Sequence, residues 1–353
     1  MQEPLNHHFK GFSYFDIIGA EDMTTLTYTR LINRTLEILA EQSSQEAYTY
    51  ITEHANEVKG NDAQVYNFRY SLAAASGMNT EALQLLQEAI LEKGYWYSST
   101  YLLEEEDLKS LRDQDEFQKL VELCVERETL AREESTPELK ILYPNDQEDH
   151  TIQQTIIALH GDQENIEIAE PYWISLLDHH YRLALPQSSQ ILFTDAYEWE
   201  DVEQGIEELK WHLSDIMTED ALSPSTTSLK PIVGGFSAGA RVSLYTAIQD
   251  PTAFSGLILV APWLPEASEW EKGLAGLQEA GVKLSIMCGE WDDDCLPGTM
   301  ELIEALQEAH VDYQYIELPE LDHDYPESFA QLLHESVTYI QSTEQDQDQN
   351  QEE

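Results

Sequence analysis

The sequence predicts an α/β fold, a mostly parallel sheet covered by helices, preceded by an all-α region of helical hairpins. Three observations carry this reading. Apolar residues recur at three- and four-residue steps from Met23 to about Glu134 without a convincing strand. Beyond Pro137, short apolar runs alternate for the most part with helical segments, the pattern of parallel strands and crossover helices. Between the two, Glu133-Glu134-Ser135-Thr136-Pro137 ends the helical periodicity on a proline.

Leu31, Leu36 and Leu39, and later Leu83, Leu86, Ala89 and Ile90, mark helical faces in the first half. Gly60-Asn61-Asp62 and Ser76-Gly77-Met78-Asn79 break the pattern where helices would turn. Tyr66 to Trp96 resembles a tetratricopeptide-type hairpin, with Ala82, Leu86 and Ala89 at the small-large-small positions of its second helix. Hairpins of this type stack to bury a shared face, so two or three degenerate units are expected. Residues 1–136 are therefore read as a helical, tetratricopeptide-like domain, either a module that binds a protein partner or substrate, or a cap that supports the second domain.

Residues 137–341 are read as a catalytic α/β domain and residues 342–353, which carry no apolar side chain, as an acidic disordered tail. Strands are expected at Leu139–Tyr143, Thr155–His160, Ser189–Phe193, Pro231–Gly234, Gly256–Ala261, Val282–Cys288 and Tyr313–Leu318. Directly after the fourth comes Gly235-Phe236-Ser237-Ala238-Gly239, and then Val242, Leu244, Tyr245 and Ile248 at helical spacing. Gly-x-Ser-x-Gly between a strand and a helix presents a serine oxygen for attack, with small neighbours that leave the tight turn room.

Serine is a weak nucleophile near neutral pH, and needs a base for its proton and a carboxylate to orient that base. The strand Val282–Cys288 is followed by Gly289-Glu290-Trp291-Asp292-Asp293-Asp294, which sets carboxylates at a strand's carboxyl end. Asp292 is the expected acid, with Asp293 and Asp294 as alternatives. After the last strand, Leu321-Asp322-His323-Asp324 offers His323 as the base. His334, His179 and His180 fall on helices and His310 precedes that strand. Asp322 and Asp324 favour the imidazolium form of His323 unless they point away. For the oxyanion, the N–H of Ala238 is one donor. The turn His160-Gly161-Asp162-Gln163 supplies the second from Asp162 or, alternatively, Gln163, provided that the Asp162 carboxylate faces elsewhere.

The formal net charge of -50, from 68 Asp and Glu against 18 Lys and Arg, repels phosphate backbones and anionic lipid. Nucleic acid is excluded as a partner. The acidic surplus fits a saline or alkaline setting, where salt screens self-repulsion, or simply an acidic cytoplasmic enzyme. Cys124, Cys288 and Cys295 make no disulfide framework, the first residues lack a signal pattern, and no stretch reaches the length of a membrane span. A cytoplasmic location is expected.

Gly234-Gly235-Phe236-Ser237-Ala238-Gly239 resembles the elbow of the α/β-hydrolases of the carboxylesterase, lysophospholipase and acyl-protein thioesterase group, and Leu159-His160-Gly161 resembles their oxyanion loop. The resemblance spans about Leu139 to Ser342. It implies an eight-strand-type sheet, a Ser237-Asp292-His323 triad, and hydrolysis of a small-molecule ester or thioester with no cofactor or metal. The sequence departs from the group in its Asp162-Gln163 turn, its run of three aspartates and its helical half. Tyr197, Trp199, Trp263 and Trp291 are candidate walls of an acyl or alcohol pocket. Two other readings remain: a serine peptidase on the same fold, and a non-catalytic interaction protein that recruits a partner through its helices.

Overall fold

A computed structural model of the protein describes residues 26–144, 152–222, 229–265 and 273–342. Of the tail expected at residues 342–353, residues 343–353 lie outside them, as do the first 25 residues. Helix α1 (Tyr28–Glu41) starts where the Thr27 side chain accepts the N–H of Arg30, and α2 (Ser44–His54) where Ser43 accepts that of Glu46. Asn61 does the same for Gln64 at the head of α3 (Asp62–Ala75). Each satisfies a donor that a helix start leaves without a partner. After α3 the chain reverses through Gly77, in the left-handed region at φ 75°, into α4 (Asn79–Gln87). Helices α5 (Ser99–Glu104) and α6 (Asp115–Glu134) complete the helical half. The expected tetratricopeptide-type positions Ala82, Leu86 and Ala89 are all fully buried in its core.

Beyond α6 the described residues form nine strands: β1 (Glu138–Leu142), β2 (Thr155–Leu159), β3 (Arg182–Gln187), β4 (Ile191–Phe193), β5 (Ala196–Tyr197), β6 (Ile232–Phe236), β7 (Gly256–Val260), β8 (Lys283–Gly289) and β9 (Tyr313–Leu318). Seven of them make one sheet in the order β1-β3-β2-β6-β7-β8-β9. Only β1 runs antiparallel in it. Strands β2, β6 and β7 are buried along their whole length, which explains why they read as continuous apolar runs.

Alternate residues of these strands face two helical layers. Ile157, Val233, Leu257 and Ile286 pack under α8 (Val202–Leu222), α9 (Ala238–Gln249), α10 (Leu274–Ala280) and α11 (Leu296–Glu308). Ile156, Ile232, Ile258 and Met287 face α7 (Ile166–Trp173) and α12 (Phe329–Gln341), which meet where the Trp173 and Phe329 rings pack edge to face at 5.4 Å. Burying a side chain such as Leu333 or Val337 of α12 contributes roughly 2 kcal/mol.

Several expectations are corrected. The main sheet has seven strands among the described residues where the resemblance implies eight. The strand beside β2 is Arg182–Gln187, which the sequence hides behind Pro186; its register with β2 ends at Ala184, before the proline that cannot donate. His179 closes a 3₁₀ turn and His180 takes the left-handed conformation at φ 62°, so the helix expected there stops short. The run Ser189–Phe193 contributes β4, which pairs with β5 as a separate two-stranded ribbon. That ribbon is built into the helical half: Ile191, Phe193 and Ala196 belong to the same apolar core as Tyr70, Leu86 and Phe117. Among the described residues no helix is long and apolar enough to cross a membrane.

Candidate active site

Strand β6 delivers Ser237 at the point where it meets α9. The serine adopts φ 53° and ψ -121°, a backbone conformation that costs an ordinary residue on the order of 1–3 kcal/mol and persists only when its surroundings hold it. They do so by backbone bonds: Ser237 N donates to Val260 O at 2.9 Å, and Trp263 N donates to Ser237 O at 3.3 Å. Both motif glycines are steric necessities. A Cβ on Gly235 would stand 2.8 Å from Leu159 O, and one on Gly239 would stand 2.3 Å from His160 O.

Loops after β8 and β9 carry the acid and the histidine. Asp292 is buried, whereas Asp293 and Asp294 face solvent. Asp292 Oδ2 lies 2.7 Å from His323 Nδ1, and its Oδ1 accepts the N–H of Cys295 at 3.0 Å. Both oxygens are therefore fixed, and the Nδ1–H tautomer leaves Nε2 of the ring as the basic nitrogen. Burial alone would lower the His323 pKa, but the hydrogen bond and charge of Asp292, with smaller help from Glu164 and Asp322, raise it above the ordinary histidine value. Asp322 and Asp324 are partly diverted: one accepts the N–H of His323, and the other accepts that of Tyr325 while also pairing with Arg30. No hydrogen bond joins the Ser237 hydroxyl to His323 among the described residues. Phe236, the residue before Ser237, has its ring 4.7 Å from the imidazole.

The turn expected to supply the second oxyanion donor follows β2. His160 is fully enclosed, and burial pushes its pKa down to about 4. Its Nε2 accepts the N–H of Ser188 at 3.2 Å and its Nδ1 donates to Gly161 O at 2.7 Å, a neutral structural histidine. Gly161 N is occupied, donating to Glu164 Oε2 at 2.8 Å. Asp162 turns its carboxylate away, accepting the N–H of Trp199 at 2.8 Å. Neither Ala238 N nor Asp162 N has an acceptor among the described residues; the first heads a helix, where no intrahelical partner exists.

Trp199 is not a pocket wall: it is 1% exposed and donates its indole N–H to His160 O at 2.9 Å. Trp263 and Trp291 are 37% and 57% exposed, beside the elbow and the acid respectively. Trp263 lies under the guanidinium of Arg241, 5.1 Å from its ring centre.

Several groups at the site carried no sequence signal. Glu164 and Cys295 are short-range neighbours in an acidic chain, and only the fold aims them inward. Cys295 Sγ stands 3.5 Å from His323 Nδ1, with burial pushing its thiol pKa up. Asp292, Cys295 and His323 offer ligand atoms within 4.8 Å of one another, a spacing a cation could span. The same histidine nitrogen is already engaged by Asp292, which argues for a hydrogen-bonded pair at this point. From the helical half, Asn33 donates to His323 O at 2.8 Å and Gln64 donates to Gln163 Oε1 at 2.9 Å.

Residues 27–132 match the family profile described as A/B hydrolase-like, N-terminal domain, and residues 186–341 match Phospholipase/Carboxylesterase. An uncharacterized protein from Bacillus cereus ATCC 10987 is 44% identical over 90% of this chain and 100% of its own, with a TM-score of 0.51. Acyl-protein thioesterase 2 of Zea mays is 19% identical over 57% of this chain and 98% of its own, with a TM-score of 0.44. No match was found among curated proteins.

Proposed function

We infer that this chain, which belongs to the phospholipase/carboxylesterase family of α/β-hydrolases and is a hydrolytic enzyme, cleaves a carboxylic ester or thioester by nucleophilic attack from Ser237. The observation that carries this reading is the 2.7 Å bond between Oδ2 of the buried Asp292 and His323 Nδ1, which leaves Nε2 free to serve as base for a serine held at φ 53°.

His323 Nε2 takes the Ser237 proton as Oγ bonds to the substrate carbonyl carbon. The carbonyl oxygen becomes an anion that the N–H groups of Ala238 and Asp162 receive. As this intermediate collapses, the bond to the alkoxide or thiolate breaks and His323 returns its proton to that leaving group. Water then repeats the sequence on the acyl-enzyme, with its proton passing through the same imidazole. Asp292 fixes the tautomer and stabilises the imidazolium that forms twice per turnover. Small uncharged esters suit a chain of net charge -50, and the exposed indoles of Trp263 and Trp291 offer apolar area to them.

A fluorophosphonate probe in high-salt buffer tests the reading. Covalent labelling is expected on wild type and absent from Ser237→Ala; an unlabelled, folded wild type would sink it.

A further inference from the structure

Resting on the serine-hydrolase reading above, we propose that α1, with α3 behind it, is a positioning element of the active site. Asn33 and Arg30 set the His323 loop, and Tyr28 and Gln64 set the Gln163 turn.

The need arises from the sheet topology. His323 stands on a loop that leaves β9, the edge strand, so the sheet supports that loop from one side only. On that side the acid loop holds it: Glu290 N donates to Leu318 O and Trp291 N to Leu321 O, each at 2.9 Å. The opposite side belongs to α1. Asn33 donates to the carbonyl of His323 itself at 2.8 Å. One helical turn earlier, Arg30 Nε donates to the buried Asp324 at 3.1 Å and a terminal nitrogen reaches Glu327 at 3.0 Å. The ion pair offsets the cost of enclosing a carboxylate next to the catalytic ring. Thr29 meets the Tyr172 hydroxyl at 3.4 Å, and that ring stacks on Tyr325 at 3.9 Å, which stacks on Phe236 behind the imidazole at 4.6 Å. Residues 29, 30 and 33 thus share one face of α1, as positions three and four apart on a helix do.

A second connection runs to the oxyanion turn. The Tyr28 hydroxyl donates to Gln64 Oε1 at 2.6 Å, and Gln64 Nε2 donates to Gln163 Oε1 at 2.9 Å. Gln163 is the residue after Asp162 and sits at φ 61°, a conformation that its surroundings must hold. Tyr28 and Gln64 are both buried, so the bond between them does not compete with bulk water, and it fixes the amide that reaches out to the exposed Gln163. Helices from the first half therefore grip the two loops that carry the base and the second oxyanion donor. Catalytic groups must be held within about 0.5 Å of productive geometry, and displacement of about 1 Å costs up to about 100-fold in rate.

The test uses the full chain and two readouts, one of them independent of turnover. Ester hydrolysis gives kcat and KM, and proton NMR gives the downfield resonance of His323 Nδ1–H, assigned by its loss in Asp292→Ala. Asn33→Ala is expected to lower kcat about tenfold or more with KM within about twofold, and to shift or broaden that resonance. Arg30→Lys should keep more of kcat than Arg30→Gln, and carries the same comparison should Asn33→Ala not fold. Ile51→Val, a core change in α2 packed against α1 that removes none of the hydrogen bonds to either loop, controls for general loosening. Equal kcat in Asn33→Ala, Arg30→Gln and Ile51→Val, with an unmoved resonance, overturns the proposal. A wild type that neither turns over nor labels overturns the hydrolase reading instead. In that case a resonance that moves in Asn33→Ala still supports the grip on the imidazole, and an unmoved one removes it.

Discussion

Glu164 places a carboxylate oxygen 2.8 Å from the N–H of Gly161, directly beneath the turn that also carries Asp162. The carboxyl is enclosed, and burial raises its pKa from 4.5 to about 7 against the smaller pull of that hydrogen bond. An acid group of this kind ties the geometry of the turn to the proton inventory of the folded state.

Glu164→Gln should therefore change the pH dependence of stability. Between pH 4.5 and about 7 the native protein holds a proton that the unfolded chain has released. The stability this group contributes is fully present below 4.5 and is lost as pH rises through about 7. The glutamine variant lacks that loss, and should be more stable than wild type at pH 8 by about 1–3 kcal/mol. Near pH 4 the difference should vanish. Urea unfolding midpoints at the two pH values check it, and an equal difference at both would contradict it.

Asp292→Asn should lower kcat by about 1,000- to 10,000-fold, because an amide can leave the imidazole in the wrong tautomer. Asp293→Asn, at an exposed side chain, should stay within about threefold of wild type. The pH profile supplies a second check. In the proposed mechanism His323 acts as base only when neutral, so kcat/KM should rise with pH through its pKa, which Asp292 holds up. Loss of that carboxylate should move the acid limb of the residual activity to lower pH.

Gly239→Ala should fail for steric reasons alone. The added carbon would meet a backbone oxygen, His160 O, at 2.3 Å, and a carbonyl at the end of a central strand cannot swing aside as a side chain can. A cost of about 1–3 kcal/mol is expected. Labelling of Ser237 should fall with it, since the elbow must open to admit the methyl. A variant with unchanged unfolding midpoint and labelling would contradict the close approach.

Thermal stability should rise with salt. Against 68 acidic residues the chain has 18 Lys and Arg, so most carboxylates have no cation to face. Raising ionic strength from about 0.01 M to about 1 M shortens the screening length from about 30 Å to about 3 Å and removes the repulsion between them. Tm by differential scanning fluorimetry should climb through that range. A flat or falling Tm would contradict the view that surface self-repulsion limits stability.

How far the sequence discloses this molecule depends on the range over which each feature is determined. The elbow is legible because its requirements are local: Gly235 and Gly239 are small for reasons that lie close around Ser237. Strands β2, β6 and β7 are legible because burial on both faces forces continuous apolar runs. Strand β3 is not, since Pro186 argues against a strand until its parallel partner β2 is known to stop short of it. Among the three aspartates after β8, spacing leaves the choice open, and burial of Asp292 becomes apparent only once the loop lies against His323. Arg30 and Asn33 are the least legible. They sit on a helix whose polar face reads as solvated, and their partners stand about 290 residues further along the chain.

The β4–β5 ribbon has a consequence for inheritance. Its Ile191 and Phe193 are supplied by the later segment of the chain yet fill the interior of the earlier one. A crossover drawn between α6 and β1 would thus strip apolar side chains from one product and leave them uncovered on the other. Genetic shuffling that preserves a working enzyme should move these two segments together, as an ancestral pair.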